Sequence, residues 1–293
     1  MNILLAGGSG NVGRNLIPIL EAKGHRVWVL TRNPKNARDL IWNPAQKFIS
    51  DSLQTPIDVI INLNGFSVSN RWTVENKKRM YTSRVDANDT LLAWAQKQTQ
   101  PPHTWINASA IGIYPSLSTL QDEQSGFGSG FLADLCKQWE AFQQDIDSRT
   151  RMVILRIGIV LDRHSGALPT LKIPTGWGVG SAIGDGEQYM SWIDMEDLCR
   201  MIDFSIDHPI QGIYNAVSPE PVSNATFSKT LAQVMGRPFW APKVPAFVVK
   251  TLMGEMASMV LNSHRISAQK IMTAGFQFNF PTLTSSLKHQ LNK

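Results

Sequence analysis

Ile3-Leu4-Leu5-Ala6-Gly7-Gly8-Ser9-Gly10-Asn11-Val12-Gly13 stands almost at the start of the chain, and its reading decides the fold. A short apolar run leads into glycines at 7, 10 and 13, three residues apart. An apolar run of this kind reads as a parallel strand buried on both faces. Gly7 permits a tight turn, Gly10 lets the backbone approach a bound group, and Gly13 lets the next helix pack close to the strand. The pattern predicts a strand, a turn and a helix whose N-terminal amides face the pyrophosphate of a dinucleotide.

The flanking sequence completes the unit. Val12, Leu16, Ile19 and Leu20 recur at helical spacing, and Gly24 stands where a helix ends on a left-handed glycine. Arg26-Val27-Trp28-Val29-Leu30 is then a second strand, closing a strand–helix–strand unit. Thr31-Arg32 follows, and no carboxylate lies between Glu21 and Asp39. A site for NAD(H) places an acid at this point to hold the ribose 2′-hydroxyl, whereas one for NADP(H) places a cation. Arg32 can form a forked pair with a 2′-phosphate and Thr31 can add a hydroxyl, so the expected cofactor is NADP(H). The competing reading makes Arg32 a solvated loop residue.

Composition narrows the class. The chain has 293 residues, 43% of them hydrophobic, enough for one large domain or two modest ones. Two cysteines, Cys136 and Cys199, give neither a disulfide framework nor a metal-ligand pattern, and the six histidines are dispersed, so no metal is expected. The first strand leaves no room for a signal peptide, and no apolar run is long enough to span a membrane, so a cytoplasmic protein is expected. The formal charge of +5 is scattered apart from Lys77-Lys78-Arg79 and Arg84, which argues against a nucleic-acid footprint and leaves a small molecule as the expected partner.

Further along, strands are expected at 57–63, 104–110, 151–160 and 212–217, and helices at 74–98, 130–145 and 198–206. The alternation predicts an α/β, Rossmann-type, doubly wound parallel sheet with its ligand at the C-terminal strand edge. Residues 162–191, rich in Gly and Pro, read as long loops, and the chain from Ser223 on as a small helical region. The expected division is residues 1–160 plus about 195–217 for the dinucleotide, and about 161–194 and 218–293 for the substrate.

The chain resembles the extended short-chain dehydrogenase/reductase superfamily, and within it the atypical branch of epimerase family proteins, which are sugar-nucleotide epimerase-like. The resemblance spans essentially the whole chain. It rests on the glycine turn, Thr31-Arg32, Ile61-Asn62-Leu63-Asn64-Gly65, Arg71-Trp72, Ser83-Arg84, Ser109-Ala110-Ile111-Gly112-Ile113-Tyr114, Phe131-Leu132-Ala133, Trp139-Glu140, Arg156-Ile157-Gly158-Ile159-Val160-Leu161, Ser191-Trp192-Ile193-Asp194, Gly254-Glu255-Met256 and Gly275-Phe276. It implies NADP(H) binding through Gly7, Ser9, Gly10, Asn11, Val12, Gly13, Thr31, Arg32, Asn62, Leu63, Arg84 and Arg156. It also admits a homodimer through the long helices on one face of the sheet. Asn64 departs from the alanine usual in the branch.

The superfamily's chemistry uses Tyr-x-x-x-Lys on one helix, because an unperturbed tyrosine titrates near 10, too high for proton transfer at neutral pH. None of Tyr81, Tyr114, Tyr189 and Tyr214 has a lysine four residues on; counting back from Glu140, the expected positions hold Leu132 and Cys136. Ser109 ends a strand where the superfamily's Ser/Thr holds the substrate carbonyl. Tyr114 follows in the loop, either as proton donor and acceptor or as a packing aromatic. Arg71, Arg84 and Arg156 are candidate anion handles or structural ion pairs, and Trp72, Trp177 and Trp192 are a pocket floor or core. Two functions compete: an NADP(H)-dependent oxidoreductase or epimerase acting on a small polar substrate, possibly a nucleotide sugar, and an NADP(H)-binding redox sensor or scaffold without turnover.

Overall fold

The computed structural model describes residues 1–51, 53 and 55–292. In chain order it opens with β1 (Asn2–Ala6), α1 (Asn11–Ala22), β2 (Arg26–Thr31), β3 (Asp39–Asn43), β4 (Phe48–Ile49), β5 (Val59–Asn62), α2 (Val74–Ala95) and β6 (Thr104–Ala110). It continues with β7 (Leu117–Gln121), α3 (Phe131–Glu140), β8 (Arg151–Ile157), β9 (Ile159–Leu161), α4 (Ala167–Gly176), β10 (Tyr189–Met190), β11 (Trp192–Asp194), α5 (Met195–Asp207) and β12 (Gly212–Ala216). The last stretch holds β13 (Val222–Ser223), α6 (Asn224–Met235), α7 (Ala246–Met253), α8 (Ser258–Leu261), β14 (His264–Ile266), α9 (Gln269–Thr273) and α10 (Leu283–Leu291).

The chain forms two compact units. The first gathers Met1–Ala110, Gly130–Arg156 and Cys199–Tyr214; the second gathers Ile111–Ser129, Ile157–Leu198 and the residues from Asn215 on. An eight-stranded sheet dominates the first, in the order β12-β8-β6-β5-β1-β2-β3-β4. β1 runs parallel to both β2 and β5, β5 parallel to β6, and β2 parallel to β3, while β4 turns back antiparallel on β3. Ile3, Leu4, Leu5 and Ala6 are fully buried, as an inner parallel strand covered on both faces requires. Leu91, Trp105, Phe142 and Ile154 join Leu4 in the core of this unit.

The second unit has its own core, with Leu161, Leu168, Trp192, Phe227, Leu231, Leu283 and Leu287 packed together. Short strand pairs brace it: β9 with β11, β7 with β14, and β10 with β13. The pairing of β7 with β14 explains why residues 111–129 group with this unit, although their position in the chain had placed them with the first.

Three local expectations need correction. Residues 162–191 are not only loops: they contain α4 and β10, and Leu168 is fully buried. The Gly- and Pro-rich composition had argued for loops there, but Pro169 stands at the third helical position, where a missing N–H breaks no intrahelical bond. The expected strand 151–160 is two strands, broken at Gly158, where a Cβ would come within 2.6 Å of the Ser191 carbonyl oxygen. The strands β3 and β4 went unread. Only seven residues, 32–38, join the parallel strands β2 and β3, where a crossover of a dozen or more is usual.

Candidate functional site

The glycine turn takes the shape its spacing implies. Gly7 has φ +84°, and a Cβ on it would lie 2.7 Å from the Leu63 carbonyl carbon. A Cβ on Gly13 would lie 2.5 Å from the Gly7 carbonyl oxygen, so the start of α1 rests directly on the turn. These two glycines are required by the protein itself. Gly10 differs: it is exposed at the N-cap of α1, and a Cβ there would meet only the Gly7 carbonyl, at 3.1 Å. No side chain caps α1 and no acid lies in its first turn, so the helix offers its terminal amides and partial positive charge outward. Ser9 is exposed beside it, and Asn11 and Val12 are half-buried.

Leu63 is drawn to the same place, since its N–H donates to the Ala6 carbonyl at 2.9 Å. Asn62 is turned the other way. Its side chain is fully buried, its Nδ2 donates to Asn88 Oδ1 (2.6 Å) and Asn107 Oδ1 (3.0 Å), and its Oδ1 accepts from the Asn64 N–H. Asn88 Nδ2 in turn donates to the Trp139 carbonyl. This amide chain ties β5, α2, β6 and α3 together beneath the turn. Asn88 and Asn107 were missed in the sequence, although an asparagine inside an apolar strand must be hydrogen-bonded and so signals a network. The unusual Asn64 is likewise occupied, donating from Nδ2 to the Ser83 carbonyl at 2.7 Å.

At the end of β2, Arg32 is exposed and makes no hydrogen bond or ion pair with any described residue. Thr31 Oγ1 accepts from the Asn33 N–H at 3.2 Å. The nearest downstream acid, Asp39, is committed to its own loop, accepting from the Lys35 and Asn36 amides at 2.7 and 2.9 Å. Arg38 pairs with Glu21. Among the described residues the loop therefore presents Arg32 without a partner, while its carboxylate is held by backbone.

A second constellation lies at the ends of β6 and β8. Ser109 Oγ donates to Glu140 Oε1 at 2.6 Å, and Glu140 is gripped on both oxygens by Arg156, from Nε at 2.9 Å and Nη2 at 2.8 Å. All three are buried, with Arg156 only 1% exposed. Among the described residues Arg84 has no carboxylate partner. It is 8% exposed, donates to the Phe66 and Met80 carbonyls, and lies 4.6 Å from the Trp139 ring; burial pulls its guanidinium down to about 10. Cys136 is buried, and burial followed by the Glu140 charge pushes its thiol up to about 12.

Tyr114 belongs to the second unit. It is 2% exposed and its hydroxyl donates to Asn215 Oδ1 at 2.8 Å. Asn215 is fixed in turn by Ser267 and Glu123. The three tryptophans separate: Trp192 is core, Trp177 is 81% exposed, and Trp72 packs edge-on against Phe131. Arg71 is exposed. Among the described residues no group of three His, Cys, Asp or Glu could hold a metal ion, and no helix is long and apolar enough to cross a membrane.

A glycine-cornered turn feeding an uncapped helix at the edge of a doubly wound sheet defines a Rossmann-type protein of the short-chain dehydrogenase/reductase kind. Residues 3–130 match the NAD dependent epimerase/dehydratase family, and residues 244–290 match a domain of unknown function, DUF1731. The epimerase family protein YfhF of Bacillus subtilis is 35% identical over 98% of this chain and 97% of its own. Among solved structures, human epimerase family protein SDR39U1 (isoform 2), determined with NADPH, superposes with a TM-score of 0.91 at 30% identity, over 100% of this chain and 99% of that one. A nucleoside-diphosphate sugar epimerase from Corynebacterium glutamicum gives 0.82 at 27% identity, matching 99% of this chain but 58% of that one. The chain belongs to the epimerase family, an atypical branch of the short-chain dehydrogenase/reductase superfamily.

Proposed function

We propose that this chain binds NADP(H) on the Gly7–Gly13 turn and uses it in the oxidoreduction or epimerisation of a small polar substrate, of which a nucleotide sugar is one candidate. The observation that carries the reading is the turn itself: exposed Gly10 on an uncapped helix, with unpartnered Arg32 at the end of the neighbouring strand. The amides of Ser9, Asn11 and Val12 and the helix end would hold the pyrophosphate, and Thr31 and Arg32 the 2′-phosphate. Leu63 would line the adenosine side with its backbone, and Asn62, Arg84 and Arg156 would shape the floor rather than reach the cofactor as free side chains. The bound nicotinamide would supply or accept a hydride. Residues 161–194 and 218–293 would contact the substrate, in a cytoplasmic setting that keeps both buried cysteines reduced.

In this reading Ser109, oriented by Glu140, offers its oxygen as an acceptor to a substrate hydroxyl, and Tyr114 gives or takes the proton. Undiminished turnover in Tyr114→Phe would remove that role. Calorimetric titration with NADPH, NADP⁺, NADH and NAD⁺ tests the cofactor assignment. The phosphorylated pair is expected to bind tighter by about tenfold or more, and Arg32→Ala to abolish the preference. Equal binding of all four would overturn it.

One observation favours a second reading, a redox sensor or scaffold. The hydroxyls of Ser109 and Tyr114 both donate to protein groups, Glu140 and Asn215, and Leu132 and Cys136 hold the places of the usual pair. Consumption of NADPH with any member of a carbonyl panel supports the enzyme. Tight binding without consumption across the panel supports the sensor.

A further inference from the structure

Arg265 is a cation that the second unit positions without pairing. It lies in the middle of β14, inside the segment matched only to a domain of unknown function. That strand is held from several sides. Ser191 Oγ accepts from the Ile266 N–H at 2.9 Å and donates to the His264 carbonyl at 2.8 Å, and the Ser267 N–H donates to the Gln121 carbonyl at 2.8 Å. Ile266 is fully buried, and side-chain alternation along the strand sends Arg265 to the opposite face. There its guanidinium rests 4.7 Å from the centre of the Tyr189 ring. Tyr189 is tied to the same stretch, its N–H donating to Ser263 Oγ at 3.0 Å.

The Arg265 side chain is half-buried and makes no hydrogen bond or ion pair with any described residue. Its Nε is sealed from solvent without an acceptor, a state that only Arg84 shares among the described arginines. Desolvating part of a cation with no acid beside it costs stability and brings the fold nothing in return. It does strengthen the attraction of the remaining edge for an anion. That edge is Nη1 and Nη2, which are neither sealed nor engaged by any described residue. Two open nitrogens on a guanidinium whose plane is set by an aromatic ring match an oxyanion, which takes both as a fork. The placement adds a link to chemistry. Two residues on from Arg265, the Ser267 carbonyl accepts from Asn215 Nδ2 at 3.2 Å, and Asn215 Oδ1 accepts from the Tyr114 hydroxyl at 2.8 Å. The arginine and the proposed proton carrier are thus fixed to one framework within the second unit.

We infer that Arg265 is a substrate-binding residue and that the substrate carries an oxyanion, a carboxylate or a phosphate. The Nη1–Nη2 edge takes that group while Tyr189 holds the plane of the guanidinium. The inference rests on the proposed function in one respect, that the second unit receives the substrate. It narrows a small polar substrate to an acidic one.

The arginine Nε–H signals of the full chain in NMR test this, because a sealed N–H exchanges slowly with water and stays visible. Glucose 1-phosphate, glucuronate and glucose share a sugar ring and differ in the anion they carry. At least one of the two anions is expected to move the Arg265 signal saturably, and glucose to leave it in place. Saturation transfer to the sugar protons should show Arg265→Gln weakening the bound anion by about tenfold. If Arg265→Gln fails to fold, the titration of the unaltered chain decides alone. A stationary Arg265 signal with both anions, equal movement with glucose, or anion binding that Arg265→Gln leaves unchanged would overturn the inference. NADPH calorimetry judges the cofactor reading separately. NADPH binding with a stationary Arg265 signal overturns this inference alone, and a moving Arg265 signal in a chain that ignores NADPH upholds it while the cofactor reading falls.

Discussion

The turn at Gly7–Gly13 and the cluster at Ser109, Glu140 and Arg156 stand in the same unit and are built on opposite principles. The turn leaves polar groups outward: among the described residues α1 has no side-chain cap, Gly10 is exposed, and Arg32 has no partner. The cluster turns its groups on one another. Ser109 donates to Glu140, Glu140 is held on both oxygens by Arg156, and nothing in it is more than 4% exposed. A site that must take up a charged ligand keeps donors in reserve, whereas a buried charge persists only when its partners are built in. The contrast teaches that, in the proposed reading, the pyrophosphate is held by backbone that substitution of side chains elsewhere leaves intact, whereas the groups proposed for chemistry are side chains already engaged with their neighbours.

The contrast can be broken most forcibly at Glu140. Glu140→Gln leaves Arg156 buried beside a neutral amide and is expected to cost about 3–5 kcal/mol in chemical denaturation. Glu140→Leu with Arg156→Met removes both charges and should recover most of that loss; a double variant as unstable as the single one would mean the pair is not a self-contained unit. On the other side, Gly13→Ala drives a methyl into the Gly7 carbonyl and should cost about 1–3 kcal/mol while abolishing NADPH binding. Arg32→Ala should leave the melting temperature unchanged and weaken NADPH by about tenfold with NADH unaffected, read by calorimetry. The smallest expected effect concerns Cys136. Its thiol, raised to about 12, keeps its proton in the folded chain while the unfolded chain loses it from about pH 9. Stability should therefore decline as pH rises from 9 towards 12, and Cys136→Ala should flatten that decline. At pH 8 the native thiol should resist a disulfide reagent that labels it readily in denaturant.

Much of this was legible in the chain because glycine spacing reports backbone geometry, which a sequence carries directly. β1, α1 and β2 follow from residues 2–31 alone, and β6 was placed at 104–110. The unread elements share a cause. β3 and β4 are short, and the parallel return of β3 from β2 in seven residues defies the crossover length expected of such a pair. α4 carries Pro169 and Pro174 between glycines, so its composition imitates a loop while Leu168 anchors it in the core. At the candidate site, Arg32 could be read from the absence of a nearby acid. That Asp39 is occupied by its own loop could not be read, because an N–H contact of that kind depends on the turn. The bond from Ser109 to Glu140 joins residues on different elements, and only the packing of α3 against the end of β6 brings them together.

The surroundings of Cys136 bear on what a lysine would meet there. The sequence reading sets Leu132 and Cys136 at the positions of the superfamily's pair, so Leu132→Tyr with Cys136→Lys would write that pair into α3. The new ammonium would arrive in a buried position already under the influence of Arg84 and Arg156, opposed by Glu140, both of whose oxygens are engaged by Arg156. A third cation there would be expelled or would lose its proton. Writing that pair into α3 would therefore set a buried ammonium beside two buried guanidiniums, and it is the arginines that decide whether this position can carry a charge.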